Sequence, residues 1–495
     1  MNARVAGARI GIGIAVYLHM IVARGAWAQA QDRLPVPWPT RPEEVIPYGA
    51  PAPPPAKPAP RPELTPPPGE PMPPPRIPET APPSRSPETP PPPVPTPSPS
   101  QAPAAAAPAT PATPAAQSQT HLGAIGEGLV FIDRDHDAEW DLRRLMATLT
   151  HSPTAWLRFH AEAGIEHADT FAAQQVVVEL APARAFGVRA GLMLLPIGII
   201  NQLNAPTTFL TVDRPLTDQL IIPTIWRELG AGLFGDVAGR LRYELDVVAG
   251  LDGAGFSAQA PLAGGRGNGQ HIGSSGVAVA GRFELYGLPE GFVMGASGYY
   301  GSASGGQAML DGVAVGIVEG DARFRGGGFE LRAEYAQLFI FDSYRVNDYL
   351  GLLGQDAIPK AGRGSYVQAG YDVLRLGDAD TKQELLLFAG YENVNPRSAM
   401  SPYNYNPPTI TPPGELPPNA PSPAKSFVRG GIVYRPLPEL AFKVDIQIAL
   451  DDEGPPPTTP MTAAGAPGTP RPLESHLAEA ARGKSRLGLG VGFAF

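Results

Sequence analysis

Cysteine is absent from this chain of 495 residues, so disulfides, thiolate metal sites and a lipid-modified cysteine are all excluded. Charged residues are few, at 17%, and the formal net charge of -9 leaves no basic surface of the kind that binds nucleic acid. Beyond the amino-terminal segment no run of about 18 apolar residues occurs, which excludes membrane-spanning helices. The chain is instead rich in glycine, with 57 residues, and in proline, with 62, an unusual composition for a soluble globule.

The amino terminus has the layout of a secretory signal peptide. Arg4 and Arg9 precede an apolar run over 10–22, and a small-x-small cleavage pattern ends at Ala28. We therefore assign 1–28 to a signal peptide, with an uncleaved anchor as the alternative. The mature protein would then be exported across the inner membrane.

A proline-rich segment follows the signal peptide. Residues 35–114 hold 34 of the prolines, mixed with Ala, Ser and Thr, and contain almost no large apolar side chains. Such a segment cannot bury enough surface to offset its ordering entropy, so we predict a disordered periplasmic arm over 29–120. Its proline runs favour an extended conformation that could thread the cell wall and contact peptidoglycan. A passive spacer is the alternative.

From residue 121 the composition changes and stretches of strict alternation begin. In 155–166, 241–247, 329–335 and 442–450, apolar side chains alternate with charged or polar ones. This period of two is typical of strands with one face in lipid and the other in water, as in outer-membrane barrels. The residues predicted to line the water-filled lumen are Arg158, Glu162, Arg242, Glu244, Arg332, Glu334, Lys443 and Asp445.

The number of such segments predicts an all-β fold, one transmembrane antiparallel β-barrel over 121–495. We count about sixteen segments, an even number, and the connections between them alternate between short and long. With both ends of the barrel in the periplasm, every short turn falls on the periplasmic side. The predicted short turns include 151–153, 181–183, 287–291, 377–380 and 435–438. A barrel of this width leaves an aqueous channel, whereas eight strands would be filled by side chains. The predicted strands begin near residues 123, 142, 155, 173, 185, 226, 240, 277, 292, 310, 328, 364, 382, 426, 439 and 483.

The last ten residues, 486–495, alternate large apolar side chains with small ones. This pattern predicts a closing strand whose large face lies in outer-membrane lipid. The terminal aromatic residue, Phe495, resembles the signal that the barrel assembly machinery reads. On this stretch alone, the last strand of a soluble sandwich is the alternative.

Motifs between Phe186 and Phe234 resemble those of the phosphate-selective porin family. The resemblance extends to Gly-Leu-Asp at 250–252 and Ala-Ser-Gly-Tyr-Tyr-Gly at 296–301. It implies a sixteen-stranded, trimeric porin in which the long third external loop, 197–225 here, folds inward. The motifs are Val-Arg-Ala-Gly at 188–191, Leu-Pro-Ile-Gly-Ile-Ile-Asn at 195–201, Pro-Thr-Thr-Phe at 206–209, Asp-Arg-Pro-Leu at 213–216 and Ile-Ile-Pro-Thr-Ile-Trp-Arg-Glu-Leu-Gly at 221–230.

The composition of 197–225 favours an inward position independently. The segment is rich in turn-forming residues, yet it carries large apolar side chains such as Leu203, Phe209 and Ile222 that would not stay in open water. Packing against the inner wall of the barrel would bury them. A loop folded over the rim, or against a neighbouring subunit, is the alternative.

The charges of this segment depart from what a phosphate channel needs. Phosphate selection requires rows of Lys and Arg along the bore. Here Asp213, Arg214 and Asp218 supply two acids and one base, and Arg227 and Glu228 just beyond are predicted to cancel each other. We assign these five residues to the pore constriction. A mixed field, a weak cation preference and no saturable phosphate site are expected.

No pattern of catalytic residues stands out. The eight histidines are scattered without a paired-ligand spacing. The acids Asp133, Asp135 and Asp137 around His136 could bind a divalent cation, with a solvated charged loop as the alternative. We therefore expect no enzyme activity, no cofactor and no metal site.

These observations favour an outer-membrane porin that forms a water-filled channel for passive diffusion of small hydrophilic solutes and ions. The alternative is a structural protein whose arm tethers the outer membrane to the cell wall and whose barrel is mainly an anchor. An export barrel is disfavoured, because no helix precedes the first strand to fill its lumen.

Overall fold

The computed structural model describes residues 118–133, 138–270, 276–287, 289–352, 354–378, 381–401, 421–451 and 485–495. The predicted signal peptide and nearly all of the predicted arm lie outside the described residues. Asp135, His136 and Asp137 of the acidic stretch lie outside them as well. The predictions for these segments stay predictions.

Sixteen antiparallel strands form one closed barrel, in which each strand pairs with its neighbours in sequence and the last pairs with the first. This confirms the predicted all-β antiparallel barrel. Each predicted start lies within four residues of an observed one, the largest differences being 123 against Gln119 and 310 against Ala314. The strands are β1 (Gln119–Asp133), β2 (Glu139–Thr154), β3 (Leu157–Glu166), β4 (Thr170–Ala183), β5 (Phe186–Leu194), β6 (Arg227–Val237), β7 (Leu241–Ala249), β8 (Val277–Tyr286), β9 (Phe292–Ser302), β10 (Ala314–Gly326), β11 (Phe329–Phe341), β12 (Ala361–Asp372), β13 (Glu384–Ala399), β14 (Lys425–Leu437), β15 (Leu440–Ala449) and β16 (Arg486–Ala494).

The barrel closes through its last residues. β16 pairs with β1 along its whole length, and Phe495 then exchanges backbone hydrogen bonds of 2.7 and 3.0 Å with Ala124. The Phe495 ring stacks on that of Phe493, with 5.3 Å between centroids, and lies on the outer surface. The final residue therefore extends the ladder that closes the barrel.

The two faces of each strand differ as the alternation requires. In β11 the side chains of Phe329, Leu331 and Tyr335 are exposed on the outside, whereas Glu330 and Arg332 between them are buried inside. An outer surface covered by large apolar side chains is stable only in an apolar surrounding, which is how a membrane barrel meets lipid.

Most short turns lie at one end of the barrel, the short-turn end, and the longest connections lie at the other, the long-loop end. Exceptions are 167–169, a short turn at the long-loop end, and 373–383, a longer connection at the short-turn end. Two of the short turns expected from the sequence, at 151–153 and 181–183, are wrong in position. β2 and β4 continue through Pro153 and Pro182 and turn only at 155–156 and 184–185. The register shifts at both prolines, and an irregularity of this kind tolerates a residue that cannot donate to the ladder.

Three short α-helices lie in the long connections that the structure describes: α1 (Ile199–Gln202), α2 (Thr217–Leu220) and α3 (Ser343–Leu350). Within the described ranges, no helix has the length and apolar character to cross a membrane.

A hydrophobic core fills part of the interior at the long-loop end. The inward-facing residues of β11 change from Glu330 and Arg332 near the short-turn end to Leu338 and Ile340 near the long-loop end. Apolar side chains from the long connections pack on this wall, including Ile221, Ile222, Phe256 and Leu262. Alternation alone predicted a wet lumen and gave no sign of this core.

Candidate functional site

The segment between β5 and β6, 195–226, lies inside the barrel, and we call it the inserted loop. Every residue from 195 to 223 is buried except Gln202, which is half-buried. Asn201 closes its base, because its side-chain amide donates to the carbonyls of Leu195 and Trp226 at 2.8 and 3.0 Å and accepts from the Trp226 N–H at 2.7 Å. The large apolar residues of this loop are therefore buried within the lumen rather than on the rim.

One side of the inserted loop is bonded to β15 and to β1. The Val212 N–H donates to Asp445 at 2.7 Å, and the Lys443 ammonium donates to the Thr211 carbonyl at 3.0 Å. Arg214 donates twice to Glu127, at 3.0 and 2.8 Å, with both side chains buried. The loop is thus held by charged groups that the lumen wall supplies.

The glycines of β16 make room for this contact. A Cβ added at Gly488 or Gly490 would lie 3.1 to 3.2 Å from Val212, and one at Gly492 would lie only 2.3 Å from Pro206. The small face of the closing strand therefore meets the inserted loop, not open water.

Asp213 and Asp218, the two acids of the predicted constriction, have opposite surroundings. Asp213 lies 3.6 Å from Arg143 and 3.3 Å from Arg486, so its charge is compensated. Asp218 is buried near Glu319 and Glu392, and this burial together with the neighbouring carboxylates raises its pKa well above the usual 3.8. The simple sum of loop charges behind the expected cation preference does not describe this arrangement.

Arg227 and Glu228, which were predicted to cancel each other, have separate partners. Arg227 lies 3.5 Å from Glu166 on β3. Glu228 accepts hydrogen bonds from the Trp226 indole at 3.2 Å and from the Gly267 N–H at 2.9 Å. Glu228 therefore ties the inserted loop to the connection between β7 and β8.

The eight residues predicted to line the lumen fall into two groups. Arg332, Glu334, Lys443 and Asp445 are buried, and each is bonded to a neighbouring side chain or to the inserted loop. Arg158, Glu162, Arg242 and Glu244 line the space that remains open. Two ion pairs lie on the wall of that space, Arg158 with Glu179 at 3.0 Å and Glu244 with Arg189 at 2.8 Å.

Open space remains between the inserted loop and the part of the wall formed by β16 and β1–β7. One cavity lies between β3–β7 and the loop residues Gln202 and Leu203. A second cavity reaches β16, β1 and β2 and shares His160, Gln175, Gln202 and Leu203 with the first. A third lies at the long-loop end, where Arg143, Arg214 and Arg227 are among its lining residues.

Three buried side chains separate the third cavity from the other two, and we call them the seam: Arg144, Gln174 and Asn204. Arg144 donates to Gln174 at 3.3 Å and to the Asn204 side chain at 3.2 Å, and it also bonds to the Asn204 carbonyl. Its guanidinium lies 3.2 Å from Glu127. None of the seam residues was identified as a site residue from the sequence.

Two β-bulges build the seam. On β2 the register shifts so that Arg143 is extra, and both Arg143 and Arg144 face inward. On β4 a matching shift makes Gln174 extra. A bulge re-aims side chains, so two adjacent residues share one face and the alternation is interrupted. The pair Arg143-Arg144 beside an otherwise alternating stretch was the available signal in the sequence.

Metal binding has little support in the described ranges. There, no three His, Cys, Asp or Glu side chains are grouped closely enough to hold an ion. The acidic stretch around His136 lies mostly beyond those ranges, so the cation hypothesis for it stays a prediction.

The chain is similar in fold to outer-membrane barrels of known structure. OmpF of Salmonella typhi, solved with daunomycin, has a TM-score of 0.47 and 12% identity over 76% of this chain and 97% of that one. An anion-selective porin from Comamonas acidovorans has a TM-score of 0.44 and 14% identity over 77% of this chain and 100% of that one. At these values the likenesses do not bear on function.

Sequence comparison gives a closer relative. No family model matches the chain. An uncharacterized protein of Aquifex aeolicus (strain VF5) is 31% identical over 331 residues, which cover 63% of this chain and 71% of that protein. The chain therefore belongs to the same protein family as this Aquifex aeolicus protein.

Proposed function

We propose that the chain is an outer-membrane porin, a non-enzymatic channel for passive diffusion of small hydrophilic solutes and ions. The observation that carries the proposal is a space beside the inserted loop, with charged side chains in its lining, in a closed sixteen-stranded barrel with an apolar outer surface. Sixteen strands leave an interior too wide for wall side chains alone to fill. The motif resemblance to phosphate-selective porins points the same way, but the function does not depend on it.

The proposed path begins in the cavity at the long-loop end, crosses the seam and continues along β3–β7. The inserted loop is the constriction, because it occupies the other side of the lumen. The acids and bases along the wide part are balanced, with Arg158, Arg189 and Arg242 facing Glu162, Glu179 and Glu244. Such a wall exerts a mixed field, so we propose weak ion selectivity.

Single-channel recording of the purified full-length protein tests the channel. Stepwise, ohmic conductance is expected in planar bilayers. Arg144→Ala should raise the unit conductance, because it removes the largest side chain of the seam. Arg240→Ala is the matched control, since Arg240 is exposed in the short turn between β6 and β7.

Two outcomes would contradict the proposal. Correctly folded, heat-modifiable protein that yields no current steps would exclude a channel. If the Arg144→Ala protein and the parent have equal unit conductance, the seam does not limit the conductance. This test does not depend on the oligomeric state or on partner proteins. The expected homotrimer, the contact with the barrel assembly machinery and the contact with peptidoglycan all stay predictions.

A further inference from the structure

Three buried carboxyl groups meet where the inserted loop rests on the barrel wall. Asp218 belongs to α2 of the loop, Glu319 to β10 and Glu334 to β11. Their residues are 1%, 6% and 3% exposed, so water does not screen them. Ionised carboxylates this deeply buried are costly unless each is fully paired.

The start of α1 is tied to two of these acids. The Gly198 N–H donates to the Ser297 hydroxyl at 3.1 Å, and that hydroxyl donates in turn to Glu319. Glu334 accepts from the Ile199 N–H at 3.4 Å and from the Tyr366 hydroxyl at 2.9 Å through one oxygen. The wall therefore holds α1 through carboxyl groups.

The remaining carboxyl oxygens converge without adequate partners. A Cβ placed on Gly198 would lie 3.0 Å from Glu334 Oε1 and 3.3 Å from Asp218 Oδ1, so both atoms border one small space. Among the described groups, no well-formed hydrogen bond reaches these two atoms or Glu319 Oε1, although the Ile200 N–H faces Asp218. Three ionised carboxylates would repel one another here.

Nearby charges do not neutralise the cluster. Arg282 of β8 lies 3.2 Å from Glu319, but it also pairs with Glu284 and Asp321. The other charged or titratable groups that face the cluster are Asp321 of β10, Tyr366 of β12 and Glu392 of β13. Arg323 lies behind Asp321 and Arg429 behind Glu392, each at 3.5 Å. Like carboxylates that share a site retain a proton into a pH range where a free one would be ionised.

We propose that Asp218, Glu319 and Glu334 form a proton-dependent latch that holds the inserted loop open against the wall. The inference rests on the proposed channel function. While the acids share protons, the inserted loop stays in contact with the barrel wall. When the last shared proton leaves, repulsion pushes the loop off the wall.

A released loop can move only toward the conducting path. The hydrophobic core and the bonded wall fill the space on its other side. The latch acts at the start of α1, while Gln202 and Leu203 at its end line both open cavities. Displacement of α1 therefore narrows the path, and closure should increase as the pH rises.

Single-channel recording between pH 5 and pH 9 tests the latch in the full-length protein. The wild type should spend more time closed as the pH rises, with the ratio of closed to open time growing about tenfold per pH unit for one released proton. Asp218→Asn and Glu334→Gln mimic the protonated groups and should stay open throughout. Asp348→Asn removes an exposed charge on α3 and should behave as the wild type.

The outcomes separate this proposal from the channel function. No current at any pH, from protein that is folded by heat-modifiability, defeats the channel itself. Steady current that is independent of pH, or closure on acidification, leaves the channel intact and overturns the latch. Tyr366→Phe is a further check that keeps all charges. The Tyr366 hydroxyl donates to the Glu334 carboxylate and so favours its ionised form, and loss of this bond should shift closure to higher pH. Closure provoked by a chelator at acidic pH would assign the cluster to a bound cation and overturn the proton latch.

Discussion

Replacing Glu127 with glutamine should release the inserted loop from β1. Arg214 of the loop donates two hydrogen bonds to the Glu127 carboxylate, and Arg144 of the seam lies 3.2 Å from Glu127. All three side chains are almost completely buried. Glu127→Gln would leave two buried guanidinium groups without their shared counter-charge.

The free energy lost in the Glu127→Gln protein can be estimated from the burial of the Glu127–Arg214 ion pair. Removing one partner of a buried ion pair costs about 3–5 kcal/mol. Glutamine matches glutamate in size and can still accept one hydrogen bond, so we expect the lower value, about 3 kcal/mol. This corresponds to an increase of about 10²-fold in the fraction of molecules with an undocked loop.

Cysteine labelling can measure that fraction, because the chain has no cysteine of its own. Thr211→Cys places a single thiol on a fully buried loop residue, so its reaction with a methanethiosulfonate reports undocking. The rate should rise about 10²-fold when Glu127→Gln is added. Glu290→Gln, in the exposed turn between β8 and β9, is the control. A rate that stays within about threefold of the parent would refute the reasoning.

Three further predictions concern charge and assembly. Asp213→Asn should shift the reversal potential toward anions, because it removes a negative charge that lies beside both Arg143 and Arg486, whereas Asp218→Asn should not. The raised pKa of Asp218 means that the folded protein holds a proton the unfolded chain releases, so its contribution to stability falls as pH rises above about 3.8. The free energy of unfolding, measured in urea at several pH values, should therefore depend less on pH in the Asp218→Asn protein than in the wild type. Phe495→Asp should lower the yield of heat-modifiable protein in the membrane fraction, since Phe495 extends the closing ladder.

The strands were predictable because lipid imposes a simple requirement on each one. A strand that touches lipid on one face and the interior on the other must alternate, and β11 does so over its full length. Positions near Pro153 and Pro182 were misjudged because proline usually ends a strand, while here it sits at a shift of register.

The seam was not predictable from alternation. A period of two assigns Arg143 and Arg144 to opposite faces, yet the bulge on β2 turns both inward. Whether a strand carries an extra residue depends on its pairing with the neighbouring strand, which the local pattern does not encode. The strand residues that build the seam are therefore those that break the rule by which the barrel was recognised.

The charges of the inserted loop show why selectivity cannot be summed along a sequence. A fixed charge acts on a passing ion only where it faces water and lacks a nearby counter-charge. Asp213 acquires its partners from β2 and β16, and Asp218 meets Glu319 and Glu334 from β10 and β11, all far away in the chain. Two acids five residues apart thus become a compensated charge and a group that favours its neutral form. Because closure of the barrel creates both environments, the field in the pore depends on the fold as much as on composition.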